Sequence, residues 1–586
     1  MTGVDTAADL GLRRPGELPV EDLRIENSGT LRDAAVLVDG TAVANLDIEN
    51  EGLMESGSDA QAIFGSGEAF RFVNAPGYSF RAPDGKGVHA ITAFERGEAG
   101  QFTFVNLGSM TTSGAAFEAG LVVADGPDVS LLMSNGGSMT VGGEGAAAMH
   151  LQVEGASGAE GGLASPSNTE DLVEALPVPS EGGAVQNLGT IVLQGANAAG
   201  IRSTGTARTL FANEGTIGGA ADGQIGMQIE GIAGANQNYV LNGRTIQLEG
   251  ANVVGMKVAS NGGSTVRVGQ GELVFSRDGI SYRVESLEIF RETSDSEAPD
   301  FPRGEILVSG TDAIGLDIVG QSGSDGGVNV GLASAQPERG SADLGRIVAM
   351  GAGAVGIALG GEQTVFVNNG LVAGTAAAIR GDARAQSVFN LAFIDGDVAM
   401  GGGNDIFQQL LGAEVSGTIA GGDGIDRLQL YGAVPFSKRL PPDTVDPFDL
   451  STVTGFEVLD VTSPADVFGA FSVTGTFSGP NAVVRGGSQL FLDDAVLPFV
   501  TVETGSALTG KGRFGGFELE RDAILSPGRS PGLMTVDGDA TVRGIIEIEI
   551  AGAAPDQYDR LVIGGSVDLA GSTIQISLLD GFVPEA

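Results

Sequence analysis

The stretch AVQNLGTIVLQGANAAGIRSTGTARTLFANEGTIGGAADGQIGMQIEG, residues 184–231, decides the fold because it contains one pattern twice. Each copy has an Asn, a variable residue, a Gly, a Thr and an Ile, and the two asparagines, Asn187 and Asn213, are 26 residues apart. Thirteen residues after each Asn comes a Gly followed by Ile or Met, at Gly200 and Gly226. A constant internal spacing within a repeat of about 20–30 residues predicts a solenoid.

Related copies of this pattern recur along much of the chain. They begin at Ile25, Ile48, Val105, Met133, Val240 and Phe366. The asparagines at positions 27, 50, 106, 135, 187, 213 and 242 are separated by 23, 56, 29, 52, 26 and 29 residues. Because the two larger gaps are close to twice the others, each of them indicates two repeat units.

The apolar runs of the repeat are those of β-strands. They are four to six residues long, rich in β-branched residues and interrupted by Gly, Asn, Ser and Asp, whereas helical repeats need runs of about 10 residues or more. We therefore predict an all-β fold, a single elongated parallel β-helix with loop excursions and a C-terminal capping region. The recurring asparagines are expected to stack as amide ladders at the turns.

The charge and the amino-acid composition exclude several kinds of partner and site. The 586 residues include 31 Lys and Arg against 74 Asp and Glu, a formal net charge of −43. This balance disfavours a nucleic-acid partner and docking on an anionic membrane, since both need clustered basic residues. The absence of cysteine excludes disulfides, thiolate catalysis and Cys-ligated metals. The N-terminus lacks the pattern of a signal peptide, so we expect either a cytosolic chain or a mature or trimmed form.

Three regions are predicted along the chain. Residues 1–390 form a β-helix with inserted loops, and residues 391–500 continue it with Gly/Asp-rich turns. Residues 501–586 read as a cap, because Ile546, Ile548 and Ile550 alternate with Glu in a period of two. The stretches that break the rhythm, and are expected to leave the coil as loops, are about 156–183, 292–304, 321–343 and the Pro-rich 434–450.

One stretch matches a calcium-binding motif. GGDGIDRLQ, Gly421 to Gln429, fits the nonapeptide G-G-x-G-x-D-x-U-x, and MGGGNDIFQ places Asp405 in the frame of Asp426. Calcium needs six or more oxygens, which that motif assembles from consecutive copies nine residues apart. The two aspartates are 21 residues apart without a third copy. We therefore favour glycine-rich turns between coils and keep bound Ca²⁺ as an alternative.

The catalytic motifs of the sequence are weak. GRSPG, Gly528 to Gly532, matches the nucleophile elbow G-x-S-x-G, but the residue after the serine is Pro531, which has no N–H for an oxyanion hole. The only histidines, His89 and His150, occupy strand-like positions and are predicted to be packed or surface residues. We assign no catalytic, cofactor-binding or metal-ligating residue.

Two stretches resemble the passenger domains of autotransporters, the self-secreting surface proteins of Gram-negative bacteria. Residues 502–586 are similar to the C-terminal β-helix and autochaperone region of such passengers, and the Gly/Asp-rich residues 395–430 are similar to their turns. The residues that carry the first resemblance are Ser526, Pro527, Gly528, Ser530, Pro531, Gly532, Asp559, Leu561, Val562, Gly564 and Gly571. The resemblance implies a mature or truncated passenger, exported across the outer membrane by a C-terminal translocator barrel of the full-length precursor.

Three functions remain open at this point. The first is a non-catalytic, extracellular passenger that mediates adhesion to a host, matrix, glycan or neighbouring-cell surface ligand. The second is a polysaccharide-degrading β-helix enzyme, which would use a carboxylate pair such as Asp493–Asp494 or Asp423–Asp426. The third is a calcium-dependent surface-layer or filament protein. We favour the first, and the oligomeric state is left open.

Overall fold

The computed structural model of the chain divides into two compact units. Unit 1 comprises residues 1–275, 282–364 and 369–378, and unit 2 comprises residues 276–281, 365–368 and 379–586. The structure describes residues 20–32, 36–38, 43–55, 63–67, 69–82, 88–94, 100–112, 118–123, 129–154, 183–204, 209–230, 239–260, 265–268, 273–277, 280–284, 304–320, 329–332, 345–361, 364–432, 434–435, 447–463, 467–528, 531–579 and 581–583.

In unit 1 each coil of the chain adds one strand to each of three parallel sheets. The first two coils show the pattern, since Val20–Asn27 pairs with Val43–Asn50 in sheet 1 and Thr30–Arg32 pairs with Leu53–Glu55 in sheet 2. In sheet 3, Val36–Val38 pairs with Ile63–Gly67. All three pairings are parallel and join one coil to the next, which confirms the predicted parallel β-helix.

The strands of unit 1 follow this order through successive coils. Sheet 1 contains Val20–Asn27, Val43–Asn50, Ala69–Asn74, Gly100–Asn106, Val129–Asn135, Gly183–Asn187, Thr209–Asn213, Tyr239–Asn242, Thr265–Val268 and Asn329–Leu332. Sheet 2 contains Thr30–Arg32, Leu53–Glu55, Ser79–Ala82, Ser109–Thr112, Ser138–Val141, Thr190–Leu193, Thr216–Gly219, Thr245–Glu249, Glu305–Ser309, Arg346–Met350 and Leu371–Gly374. Sheet 3 contains Val36–Val38, Ile63–Gly67, Val88–Phe94, Glu118–Val123, Ala147–Glu154, Ala199–Thr204, Ile225–Glu230, Val254–Ser260, Ile314–Gly320 and Val355–Gly360.

Unit 2 is also built from parallel strands of successive coils. Its strands include Gln386–Asn390, Phe393–Asp395, Val398–Ala399, Ile406–Leu410, Glu414–Val415, Ile419–Ala420, Arg427–Tyr431, Phe448–Asp449, Val453–Thr454, Val458–Thr462, Ala470–Thr474, Asn481–Val484, Gln489–Val502, Ala507–Leu519, Ile524–Pro527, Leu533–Val536, Ala540–Val542, Ile545–Ile550, Arg560–Ile563, Val567–Asp568 and Thr573–Leu578. The strands Thr364–Asn368 and Ala377–Arg380 contain residues of both units, and two further strands lie at Leu273–Arg277 and Ile280–Val284. Val434–Pro435 and Val467–Phe468 pair antiparallel, and Leu450–Thr452 forms a 3-10 turn. No helix in the described part of the chain is long and apolar enough to cross a membrane.

The core of unit 1 consists of columns of identical or similar apolar residues. In sheet 2 the inward position of successive coils is occupied by Met110, Met139, Ile191, Ile217, Ile246, Ile306 and Ile347, all at most 1% exposed. The recurring glycines face this column. A Cβ on Gly226 would lie 2.6 Å from the Cγ2 of Ile246, and one on Gly255 would lie 2.2 Å from that of Ile306. The constant offset in the sequence therefore marks the place where sheet 3 closes onto sheet 2.

The predicted amide ladder is present in unit 1 and runs from Asn27 to Asn242. Each Asn of the ladder except the last donates from Nδ2 to the Oδ1 of the Asn in the next coil, at 2.7–2.8 Å, and all of them are at most 2% exposed. Asn242 donates instead to the carbonyls of Arg244 and Glu305. The ladder consists of Asn27, Asn50, Asn74, Asn106, Asn135, Asn187, Asn213 and Asn242. A second, shorter ladder in unit 2 joins Asn368, Asn390 and Gln409. A buried amide left without its partner costs about 1–3 kcal/mol, so the ladder fixes the register of the coils.

The two large gaps in the Asn spacing have different causes. The gap between Asn50 and Asn106 does contain two coils, because Asn74 fills the missing ladder position. The gap between Asn135 and Asn187 contains one coil, since Asn135 donates directly to Asn187 at 2.7 Å and their strands pair in register. The prediction of two units in the second gap is therefore wrong. Residues 155–182 of this gap lie outside the described residues.

Most of the predicted loops also lie outside the described residues. Within residues 321–343, the strand Asn329–Leu332 pairs in parallel with Thr265–Val268, so part of this stretch belongs to the stack. At the C-terminus, the period of two is that of a strand, because Ile545–Ile550 pairs in parallel with Thr573–Leu578. Ile574, Ile576 and Leu578 are 49–60% exposed. The described part of the segment thus leaves its last apolar row uncovered, and its role as a cap stays a prediction.

Candidate functional site

The two Gly/Asp-rich turns of unit 2 lie directly on top of each other. Gly403 donates its N–H to the carbonyl of Asp423 at 2.8 Å, and Asp423 donates its N–H to the carbonyl of Gly401 at 2.9 Å. Gly403 and Gly424 have φ values of +107° and +145°, which L-residues with a side chain rarely adopt. The 21-residue separation of the motif copies is therefore the length of one coil, and the glycines let successive turns pack closely.

Four acidic or amide residues form a column beside these turns. Gln386 is the first residue of its strand, Asp405, Asp426 and Glu457 each come directly before one, and the four strands pair in register. Gln386 donates its backbone N–H to Asp405 Oδ1 at 2.7 Å, and Asp405 donates its own to Asp426 Oδ1 at 2.8 Å. Asp426 in turn donates its backbone N–H to Glu457 Oε2 at 2.6 Å. We call these four residues the acidic column.

Three buried oxygen atoms of the acidic column accept no hydrogen bond. Asp405 and Asp426 are fully buried, and Asp405 Oδ2, Asp426 Oδ2 and Gln386 Oε1 have no hydrogen-bond partner. Burial raises the pKa of Asp405 to about 7, with further increases from the charges of Asp426 and Asp382 and an opposing effect of the Gln386 N–H. Burial also raises the pKa of Asp426. The column therefore favours a bound proton near neutral pH.

The acidic column is a poor calcium site as it stands. Calcium takes six to eight oxygens, whereas the free oxygens here are two from carboxylates and one from an amide. Among the residues whose side chains the structure describes, no group of three or more His, Asp or Glu is arranged to hold a metal ion. Glycine-rich turns between coils therefore stay the favoured interpretation of Asp405 and Asp426, and bound Ca²⁺ stays the alternative.

The two carboxylate pairs considered for an enzyme, Asp423–Asp426 and Asp493–Asp494, lie at a turn and at a strand irregularity. Asp426 is buried in the acidic column, while Asp423 of the same turn is exposed. Asp494 has a φ of +54° at a register shift between Asp493 and Ala495, so this pair lies at a β-bulge. Glycoside hydrolysis requires two carboxyl groups that face the same bound sugar, and Asp423 and Asp426 do not share one environment because the first is exposed and the second is buried.

In residues 502–586, the segment that resembles autotransporter passengers, one buried aspartate accepts hydrogen bonds from two backbone N–H groups. Asp559 is 4% exposed, and its Oδ1 accepts the N–H of Gly532 at 2.7 Å while its Oδ2 accepts the N–H of Glu549 at 2.9 Å. Gly528, with a φ of +118°, lies against Gly532 across this turn. Ser530 lies outside the described residues. Asp559 therefore holds Gly532 close to Gly528, and the tight turn between them stays a prediction because residues 529–530 lie outside the described part.

One further feature was not predicted from the sequence. Asp460 is 1% exposed and accepts hydrogen bonds from Arg427 Nη1 at 2.8 Å and from Arg485 Nε and Nη2 at 2.8 and 2.7 Å. No local motif marks this cluster, because the two arginines are 25 or more positions from Asp460 and meet it only through the coil register. His89 and His150 both lie on strands of sheet 3, in agreement with the strand-like positions predicted for them.

Comparison of the chain with models of protein families, with curated proteins and with solved structures gives no match. The functional argument therefore depends on the fold and on the side-chain contacts described above. Those contacts lie within the stack and stabilise it.

Proposed function

We propose that the chain is a non-catalytic β-helix displayed outside a bacterial cell, of the autotransporter passenger type, that binds a surface ligand through its outward rows. The observation that carries this proposal is the row of hydroxyl side chains on sheet 2. Ser109, Ser138, Thr190, Thr216 and Thr245 occupy one outward position on five successive coils. We call these five residues the hydroxyl row.

The hydroxyl row has the properties of a recognition surface for an extended polymer. Adjacent parallel strands are about 4.8 Å apart, so the row presents one hydroxyl group per coil at a regular spacing. Ser138, Thr190 and Thr216 are exposed, and the apolar column directly behind them keeps the sheet rigid. A regular line of donors and acceptors fits a glycan or matrix polymer better than it fits a small molecule, which needs a concave pocket.

The resemblance and the charge support the extracellular part of the proposal. Two of the residues that carry the resemblance, Gly528 and Gly532, lie against a third, Asp559. The chain has no cysteine that could form a disulfide during export. A net charge of −43 keeps such a chain soluble and disfavours collapse through self-repulsion. We also propose that the chain is exported by a translocator barrel, which would form the C-terminal part of a longer precursor.

The test is binding by a variant with a changed hydroxyl row. Thr190→Arg combined with Thr216→Arg is expected to weaken binding to cells, matrix or a glycan array at least about tenfold, a loss of roughly 1.4 kcal/mol. Gln152→Arg, an exposed polar position on sheet 3, is the matched control and should bind as the parent does. Parent-like binding by the double variant, or cleavage of a polysaccharide by the parent chain, would contradict the proposal.

A calcium-dependent surface layer is the second candidate. The observation that bears on it is the pair of unpartnered carboxylate oxygens of Asp405 and Asp426, to which other oxygens would have to be added to complete the coordination of Ca²⁺. If it is correct, millimolar Ca²⁺ should assemble the chain into sheets or fibres that light scattering detects. Asp405→Asn should abolish this assembly, whereas Mg²⁺ should not replace Ca²⁺. Scattering that is unchanged by Ca²⁺ would remove this candidate and leave the first.

A further inference from the structure

We infer that the ligand of sheet 2 is an uncharged polysaccharide that lies across successive coils and makes its closest approach to the backbone at Gly218. The inference rests on the proposed function, because it names the class of ligand for the hydroxyl row and adds a second row of contacts to it. This row lies two residues further along the same strands and consists of Thr111, Thr140, Val192, Gly218 and Gln247. We call these five residues the second row.

The hydroxyl row and the second row together form an outward face without charge. Its ten positions are occupied only by Ser, Thr, Val, Gly and Gln, and all of them are exposed or half-buried. An ionic ligand would lose water around its charge on such a face and find no opposite charge to replace it. A neutral polysaccharide brings hydroxyl groups, which the Ser, Thr and Gln side chains can pair as donors and acceptors.

Charged residues begin at both ends of this face. In the strand register, Arg81 precedes Thr111 and Glu305 follows Thr245. Glu305 Oε1 lies 3.0 Å from Arg346 Nη2, so the charge of Glu305 is balanced within the stack. At about 4.8 Å per strand, the uncharged face extends over about 19 Å. This length accommodates several sugar residues of an extended polymer.

Gly218 is the position of this face that has no side chain, although its surroundings do not require a glycine. Its φ lies outside the left-handed region, and within the described part of the chain a Cβ built on it would meet one atom, the carbonyl oxygen of Gln247 at 3.7 Å. That is an ordinary van der Waals contact. The inward glycines differ, since a Cβ on Gly226 would lie 2.6 Å from Ile246 Cγ2.

A glycine inside a strand weakens the strand and often marks a bulge, a tight bend or a place where a ligand approaches the backbone. The register from Val192 through Gly218 to Gln247 is continuous, which excludes a bulge at this point. The open space above Gly218 excludes close packing against another backbone. The remaining reason for the glycine is the approach of a ligand into a shallow dip between Val192 and Gln247.

The groups around the dip at Gly218 suit a sugar ring. Val192 is 38% exposed and offers methyl groups to the apolar C–H face of the ring. Gln247 is exposed on the other side and offers an amide donor and acceptor to the ring hydroxyls. Thr216 of the hydroxyl row lies about 7 Å away along the same strand, so one ring can contact both rows.

The test measures binding of the full chain to immobilised polysaccharides of each charge class. The probes are a neutral β-glucan, a neutral mannan, polygalacturonate as the acidic polymer and chitosan as the basic one. Binding to at least one neutral polymer is expected, with the same affinity at low and high salt because the interface pairs no charges. Binding to neither neutral polymer, or an affinity for them that falls steeply with salt, would overturn the inference.

Gly218→Val separates a loss of binding from a loss of folding. Valine favours strands more than glycine does, so the variant is expected to melt no lower than the parent. The added side chain fills the dip and should lower the affinity for the neutral polymer at least about tenfold. Gly515→Val is the matched control, because Gly515 is an exposed glycine of a unit 2 strand whose Cβ would meet the carbonyl carbon of Pro498 at 3.6 Å. It should bind as the parent does, and parent-like binding by Gly218→Val would overturn the inference.

Gly218→Lys and Gly218→Glu test the charge class of the ligand. With an uncharged ligand both should lower the affinity by a similar factor, whereas opposite effects of the two would show a charged ligand and overturn the inference. If Thr190→Arg combined with Thr216→Arg weakens binding while the three Gly218 variants do not, the inference fails and the proposed function stands. If none of these variants changes binding, both fail.

Discussion

Replacement of Ile191 by Asp is expected to lower the free energy of unfolding of unit 1 by about 4 kcal/mol or more. Ile191 is fully buried in the middle of the inward column of sheet 2, between Met139 and Ile217. A carboxylate at this position would be transferred from water to an apolar interior without a partner, which is among the most costly of single substitutions. Because each coil contacts chiefly its neighbours, the adjacent coils should open with it.

The neighbouring residue provides the matched control. Val192 follows Ile191 in the same strand but is 38% exposed, so Val192→Asp should change the free energy of unfolding by about 0.5 kcal/mol or less. Thermal melts give the stability, and hydrogen exchange should show lost protection in the coils around residues 138–141 and 216–219. Equal effects of the two substitutions would contradict the inward and outward alternation on which the fold is argued.

The second large effect concerns pH and the acidic column. The pKa of Asp405 rises from 3.8 to about 7 on folding, so the folded state holds a proton that the unfolded state releases. Its contribution to stability is fully present below pH 4 and is lost as the pH rises to about 7. One pKa unit corresponds to about 1.4 kcal/mol, which gives a total loss of about 4 kcal/mol across this window.

Asp405→Asn removes this titrating group. The difference between the variant and the parent therefore measures the contribution of Asp405 separately from that of the other acidic groups. The variant should match the parent at pH 4 and exceed its free energy of unfolding by up to about 4 kcal/mol at pH 8. Asp423→Asn is the control, because Asp423 lies in the same turn but is exposed, and it should reproduce the pH profile of the parent. Denaturant unfolding between pH 4 and 8 measures the difference. A parent-like profile for Asp405→Asn would show that its carboxyl is ionised throughout.

The repeat and the ladder could be predicted because a parallel β-helix places equivalent residues in contact. An Asn that recurs in the sequence must meet the Asn of the next coil, as Asn187 and Asn213 do at 2.8 Å. Asn74 escaped the pattern because it is followed by Ala75, Pro76 and Gly77 rather than by one residue and a Gly. Its turn uses Gly77, with a φ of +83°, one position later than the other turns.

The number of coils between two ladder positions could not be predicted. A gap of 52 residues is equally compatible with two coils and with one coil carrying an insertion, and only the bond between Asn135 and Asn187 decides between them. The full acidic column could not be predicted from the sequence either. Glu457 joins Asp405 and Asp426 although its own turn lacks the glycine-rich motif, because register alone brings it beside them.

The hydroxyl row also depends on register. It is partly visible in the sequence, since Thr190, Thr216 and Thr245 each follow a ladder Asn by three residues. Its exposure, and so its availability to a ligand, follows from the alternation within the strand rather than from the motif.

The register of the coils is therefore the central claim, and cysteine crosslinking tests it most directly because the chain has no cysteine of its own. Ser138 and Thr190 are exposed register partners on adjacent strands, and neighbouring strands are about 4.8 Å apart, within the Cα separation that a disulfide spans. Ser138→Cys with Thr190→Cys is expected to form a disulfide readily on mild oxidation, whereas Ser138→Cys with Val192→Cys, two residues out of register, should not. Failure of the first pair, or equal oxidation of both, would contradict the stacking of coils across residues 135–187.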